Sequence, residues 1–144
     1  MTIQFRSPLE NAMLRCGLAV ALLVSTTQFF ILTHANSEES WYTSDQSKAG
    51  QQLFNNYCAE CHRPDLSGGM GPALIGPTFK QRWGGKSVER LYQFEHHEMP
   101  AINPGSLTAK ELLPITAYIL EKNGMPAGST ALSEKTGQRL MLPK

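Results

Sequence analysis

Apolar and polar positions divide the chain into stretches of different period. An uncharged apolar run covers residues 16–32, with Arg6 and Arg15 before it and "LTHANSEES" closing it. A basic start, an apolar middle and small residues at Thr33 and Ala35 form the plan of a secretory signal peptide. Residues 1–35 are therefore expected to be an export signal, cleaved after about Ala35. The run is close to spanning length, so an uncleaved membrane anchor is the rival reading. Gln28 and the hydroxyls of Ser25, Thr26 and Thr27 speak against it.

Beyond residue 35 the period changes. Residues 36–46, "NSEESWYTSDQ", are polar and expected to be a flexible lead-in. From about Ser47, the positions Ala49, Leu53, Phe54 and Tyr57 recur at three- and four-residue steps and predict a helix. Residues 64–77 carry Pro64, Gly68, Gly69, Gly71, Pro72, Gly76 and Pro77, a density of breakers that predicts a shaped loop. After Gly84-Gly85, Ser87 caps a predicted helix to about His97, with Val88, Leu91, Tyr92 and Glu95 at helical steps. Thr108 and Glu111 form a capping box for a last helix to about Lys122. Pro114 falls inside it, where a proline either kinks a helix or delays its regular part. Residues 125–144 form a C-terminal extension whose "QRLML" patch is expected to pack on or near the body.

No segment alternates as a strand does, so the expected class is all-α, with three to four helices. Loops this long sit badly in so short a chain. They become sensible if they wrap something that is not protein.

Composition changes this picture little. Hydrophobic residues make up 41% of the chain, enough for one modest core. Without residues 1–35, eleven basic and eleven acidic residues remain, with no like-charged block. That balance excludes a nucleic-acid footprint. Of the three cysteines, Cys16 leaves with the signal, and Cys58 and Cys61 stay. An exported chain favours disulfides, but a Cys58–Cys61 bridge closes a tiny loop and staples nothing else.

The two thiols belong to "CAECH", residues 58–62. Cys-x-x-Cys-His is the attachment pattern of covalent c-type haem. Each thiol adds to one vinyl group of the porphyrin, and the histidine that follows reaches the iron. Cys58 and Cys61 are thus the expected attachment points and His62 the proximal ligand. A structural zinc site would need a second ligand pair, which the chain lacks. A thioredoxin-like redox pair would need a strand–helix frame, which is also missing.

From Ser47 to Gly124 the chain resembles a class I monohaem cytochrome c. "GQQLFNNYCAECH" is similar to that family's first helix, "GMGPALIG" to its proximal loop, "EMP" to its axial-methionine turn and "ITAYIL" to its last helix. The resemblance implies that residues 47–124 form the cytochrome c domain, folded around one covalently attached haem. It also implies that Gly50 lets the first and last helices touch, with Phe54 and Tyr118 at the crossing. The stretch "MPAINPGSLTAKELLPITAYILEKNGMPAG" further resembles cytochromes that serve quinoprotein alcohol dehydrogenases.

For the sixth iron ligand the resemblance points to Met99, stiffened by Pro100. His96, His97, Met125 and Met70 are the alternatives. By the same resemblance, the Pro72 carbonyl accepts the ring N–H of His62. Trp83, with Arg82 beside it, is a candidate for holding a haem propionate, against plain core packing. An iron with two protein ligands has no open position, so the expected role is one-electron transfer rather than catalysis. The expected setting is the periplasm, between a dehydrogenase (a quinoprotein enzyme by resemblance) and a terminal oxidase or another cytochrome. An anchored or tightly bound subunit of a dehydrogenase complex is the alternative, as is a haem protein whose methionine leaves to admit a ligand. Membrane contact is expected only if residues 1–35 stay attached.

Overall fold

The computed structural model describes residues 40–144, so the signal or anchor expected at 1–35 lies outside the described residues. Among the described residues six helices follow in order, two of them single turns, against the three to four expected: α1 Ser44–Tyr57, α2 Ala59–His62, α3 Gly76–Trp83, α4 Val88–Glu98, α5 Ala109–Lys122 and α6 Glu134–Gly137. Two isolated bridges, Tyr42 with Ala127 and Ser87 with Met141, are the strand-like pairings among the described residues. The all-α expectation holds. No described helix is long and apolar enough to cross a membrane.

α1 begins earlier than its apolar period suggests. The Thr43 side chain accepts the Gln46 N–H at 3.2 Å and caps the helix, so the polar residues Ser44 to Gln46 already belong to it. The segment expected as a loose lead-in is held from Trp41 onward. Trp41 and Tyr42 are buried, and the Tyr42 hydroxyl donates to the Met125 carbonyl at 2.7 Å.

α1 and α5 cross at Gly50, where a Cβ would run into the carbonyl group of Pro114. Only a missing side chain permits that approach. One turn further on, the Phe54 and Tyr118 rings meet with centroids 5.5 Å apart and planes at 58°. Phe54 is fully buried, and removing a side chain of this size from water is worth about 1.5–3 kcal/mol. α5 is continuous through Pro114, so the regular helix does not wait for it. Glu111 accepts the Thr108 N–H at 2.8 Å and closes the expected capping box. That bond, backbone first, holds the Glu111 carboxyl below its ordinary range.

α3 is absent from the apolar pattern. Ile75 is its N-cap and Pro77 lies in its first turn, where the missing N–H costs nothing and the fixed φ suits the helix. Phe79 and Trp83, four residues apart, are its buried face. The C-terminal extension then straps the body. Val88 donates to the Leu140 carbonyl at 2.9 Å, and Leu142 donates to that of Lys86 at 2.9 Å. Leu132, Leu140 and Leu142 are buried while Met141 points out.

Candidate functional site

The Cys-x-x-Cys-His segment is a single helical turn hung on the end of α1. Cys58 closes α1 by donating its N–H to the Phe54 carbonyl at 2.8 Å. The N–H groups of Cys61 and His62 then return to the Cys58 carbonyl at 3.2 and 2.9 Å. Positions i, i+3 and i+4 share one helix face, so the two sulfurs and the imidazole emerge on the same side. Both cysteines are free thiols and half-buried. Burial, then the charges of Glu95 and Cys61, push the Cys58 thiol up to about 12. It is a neutral group, of the kind that ends well as an uncharged thioether.

His62 is buried, 8% exposed, and its Nδ1 lies 2.8 Å from the Pro72 carbonyl oxygen. A carbonyl only accepts, so Nδ1 carries the proton and Nε2 keeps its lone pair. The loop that delivers Pro72 is tied to the same turn: Gly68 donates to the His62 carbonyl and Gly71 to the Cys61 carbonyl, each at 3.0 Å. Gly71 lies flat against the imidazole, where a Cβ would come within 2.6 Å of His62 Cε1 and 2.8 Å of Nδ1. Sequence reasoning counted Gly71 only as a loop breaker. Its contact with the ring was not legible, although "GP" next to the Pro72 acceptor could have drawn attention to it.

The remaining candidates lie on α3, α4 and beyond. Met99 is the C-cap of α4, half-buried, with its N–H on the Glu95 carbonyl at 3.1 Å. His96 stacks on Tyr92 with centroids 6.0 Å apart, while His97 is exposed. Met125 is partly buried against the core, and Met70 is 77% exposed. Trp83 is buried edge-on to Phe94 at 5.3 Å. The Arg82 guanidinium lies over both rings, at 5.4 and 4.7 Å, and Lys86 Nζ is 5.1 Å from the indole centroid. Trp83 thus packs as a core residue and also has two cations beside it.

Glu95 lies at helical steps with Val88, Leu91 and Tyr92, as expected, and is buried with them; its spacing gave no sign of what its carboxyl does. It is buried, with one oxygen 2.5 Å from the Thr116 hydroxyl on α5 and the other without a partner. Burial pushes its carboxyl up to about 8. Glu95 Oε1 and His96 Nδ1 are the buried side-chain atoms left unpartnered among the described residues. Two thiols and an imidazole lone pair on one face, with orphaned polar atoms on α4, fit a haem attached to Cys58 and Cys61.

Comparison with known proteins agrees with that chemistry. The family model described as cytochrome c oxidase, cbb3-type, subunit III matches residues 45–119, more than half of the chain. No curated protein matches. Among solved structures, the crystal structure of the sulfane dehydrogenase SoxCD from Paracoccus pantotrophus is similar, with a TM-score of 0.56 and 21% identity. That match covers 74% of this chain and 62% of the other, so this chain spans less than two thirds of its length. At that identity the likeness is one of fold.

Proposed function

Because the chain belongs to the family of the cbb3-type cytochrome c oxidase subunit III model, and so carries a covalently bound c-type haem used in electron transfer, we propose that it is a periplasmic one-electron carrier. Its iron ligands are His62 and Met99. The observation that carries this reading is the 2.8 Å contact between His62 Nδ1 and the Pro72 carbonyl, which leaves Nε2 as the ligating atom.

The bound haem supplies a reversible one-electron couple whose potential its axial ligands and surroundings set. Everything else is the work of the chain. Cys58 and Cys61 fix the group by two thioethers at either end of one helical turn. Pro72 locks the His62 tautomer and raises the basicity of Nε2. Gly71 holds the ring from its flat side. Met99, at the end of α4, provides a weak thioether donor. Arg82 and Trp83 would hold a propionate through the guanidinium and the indole N–H. With His62 and Met99 both given to the iron, no ligand position would be left for a substrate, which favours a carrier over an enzyme.

Export by residues 1–35 places the carrier in the periplasm, with residues 47–124 as the haem domain and 125–144 packed on it. Its electrons come from a dehydrogenase, by resemblance a quinoprotein alcohol dehydrogenase, and pass to a terminal oxidase or another cytochrome. Absorption spectroscopy of the oxidised and reduced protein tests the ligand set. The oxidised form is expected to show the weak methionine–iron charge-transfer band, and the reduced form to resist carbon monoxide. A missing band, or ready carbon monoxide binding, removes Met99 from the iron. N-terminal sequencing of the native protein tests export, and retention of Met1 makes the chain an anchored subunit instead.

A further inference from the structure

A buried acceptor with no donor is costly, and in a folded protein it calls for an explanation. Glu95 is such a group. The Thr116 hydroxyl lies 2.5 Å from Glu95 Oε2 and 2.9 Å from the Leu112 carbonyl oxygen. A hydroxyl has one proton and can donate it to only one of these acceptors. If it serves Leu112, the carboxyl is protonated on Oε2 and donates to Thr116. If it serves Glu95, the carboxylate accepts. A proton on Oε1 of a neutral carboxyl would be a buried donor with no acceptor, so in the arrangements that leave no donor unpaired Oε1 presents lone pairs alone.

That oxygen is buried on the helix that ends at Met99, and its carboxyl acts on Cys58, one of the two attachment thiols. The Glu95 backbone carbonyl accepts from Met99, the next turn along. The Glu95 charge is felt at the Cys58 thiol, second only to burial. Its other oxygen is committed to α5 through Thr116. An oxygen lone pair favours the oxidised form of a nearby iron porphyrin, which carries one more positive charge than the reduced form. In a buried site of low dielectric that preference is not screened away.

We infer that Glu95 sets the reduction potential: its unpartnered oxygen keeps the couple below the value that an apolar residue at position 95 would give. The inference rests on the reading of the chain as a haem-based electron carrier, and it makes Glu95 a positioning and tuning residue rather than a ligand. The sign does not depend on whether the carboxyl is ionised. The same arrangement explains why the fold tolerates an acid here: what Glu95 takes from stability it returns as control of the couple.

The test is a spectroelectrochemical titration of the full-length, haem-loaded protein and its Glu95→Leu, Glu95→Met, Glu95→Gln and Thr116→Val variants. Glu95→Leu is expected to move the electron-exchange equilibrium with a reference couple about tenfold toward the reduced form, or about 59 mV for one electron, with the haem spectrum unchanged. Glu95→Met, of similar length, serves the same purpose if the Leu variant does not accumulate. Glu95→Gln, whose amide donates to Thr116 and leaves a carbonyl oxygen in place, is expected to stay near the parent value. Thr116→Val keeps the carboxyl and is expected to stay low too. An apolar variant with an intact spectrum and the parent potential overturns the inference, as does a Gln variant that rises as far as Leu. Failure of the underlying reading looks different, since the parent protein itself would then lack a reversible haem couple.

Discussion

Gly50 on α1 and Pro114 on α5 are in backbone contact, with no room for a Cβ between them. The residue that looked like an intruder in the last helix is thus half of the crossing between α1 and α5. Gly50→Ala must push the helices apart or bend one of them. Overpacking of this kind costs about 1–3 kcal/mol, and the expected result is a lower denaturant midpoint at unchanged slope, followed by circular dichroism.

Gly71 makes the same kind of contact with the site itself. A methyl group there meets three atoms of the His62 ring at 2.6–3.0 Å, so Gly71→Ala must tilt the imidazole or lift the loop. The Nδ1 contact with Pro72 is then lost or lengthened. The variant is expected to lose about 1–3 kcal/mol of stability and to shift its haem spectrum. A Gly69→Ala variant, whose Cβ would first meet the Cys61 carbonyl and the Arg63 side chain, at 3.2 Å or more, is expected to keep the parent spectrum.

Glu95 gives stability a pH dependence of defined sign. Burial pushes its carboxyl up to about 8 in the folded chain, against about 4.3 for an exposed glutamate. Between those values the unfolded state holds fewer protons, so stability is greatest below the lower value and declines as pH rises toward 8. Unfolding midpoints measured from pH 4.5 to 8 are expected to fall, and Glu95→Gln is expected to flatten the trend.

Long-range steering of partners is expected to be weak. Eleven basic and eleven acidic residues follow residue 35, and the large apolar side chains most open to solvent are Met70, at 77%, and Ile102, at 89%. The balance of charges and the exposed loops together predict a small apolar contact that also includes Ala73, Leu74 and Ala101. The second-order rate of reduction by a dehydrogenase partner, measured by stopped flow, is expected to change little between low and physiological ionic strength. A steep fall with salt contradicts this. Ile102→Glu is expected to slow the reaction several-fold.

Much of this was legible because it is local. Ser87 and Thr108 mark the starts of α4 and α5, and "CAECH" announces its own chemistry. The early start of α1 was hidden because Thr43 caps a first turn of polar residues that shows no apolar period. α3 was hidden because Gly76 and Pro77 read as breakers, although a proline in a first turn is at home there. Gly71 and Glu95 were illegible for a different reason. Each is defined by a neighbour that folding brings to it, the His62 ring in one case and Thr116 in the other.

The bonds around His62 carry a consequence for how the molecule is assembled. Every contact that fixes the imidazole, from the Cys58 carbonyl to that of Pro72, comes from a short continuous stretch of chain. The helix that ends at Met99 is instead tied to α5 through Glu95 and Thr116, and α5 meets α1 across more than sixty residues in the case of Phe54 and Tyr118. Closing contacts over that distance carries a loop-closure cost that the turn around His62 does not meet. The turn that presents Cys58, Cys61 and His62 is thus organised by its own neighbours in sequence, while the packing of α4 and α5 waits on segments that only the finished fold brings together.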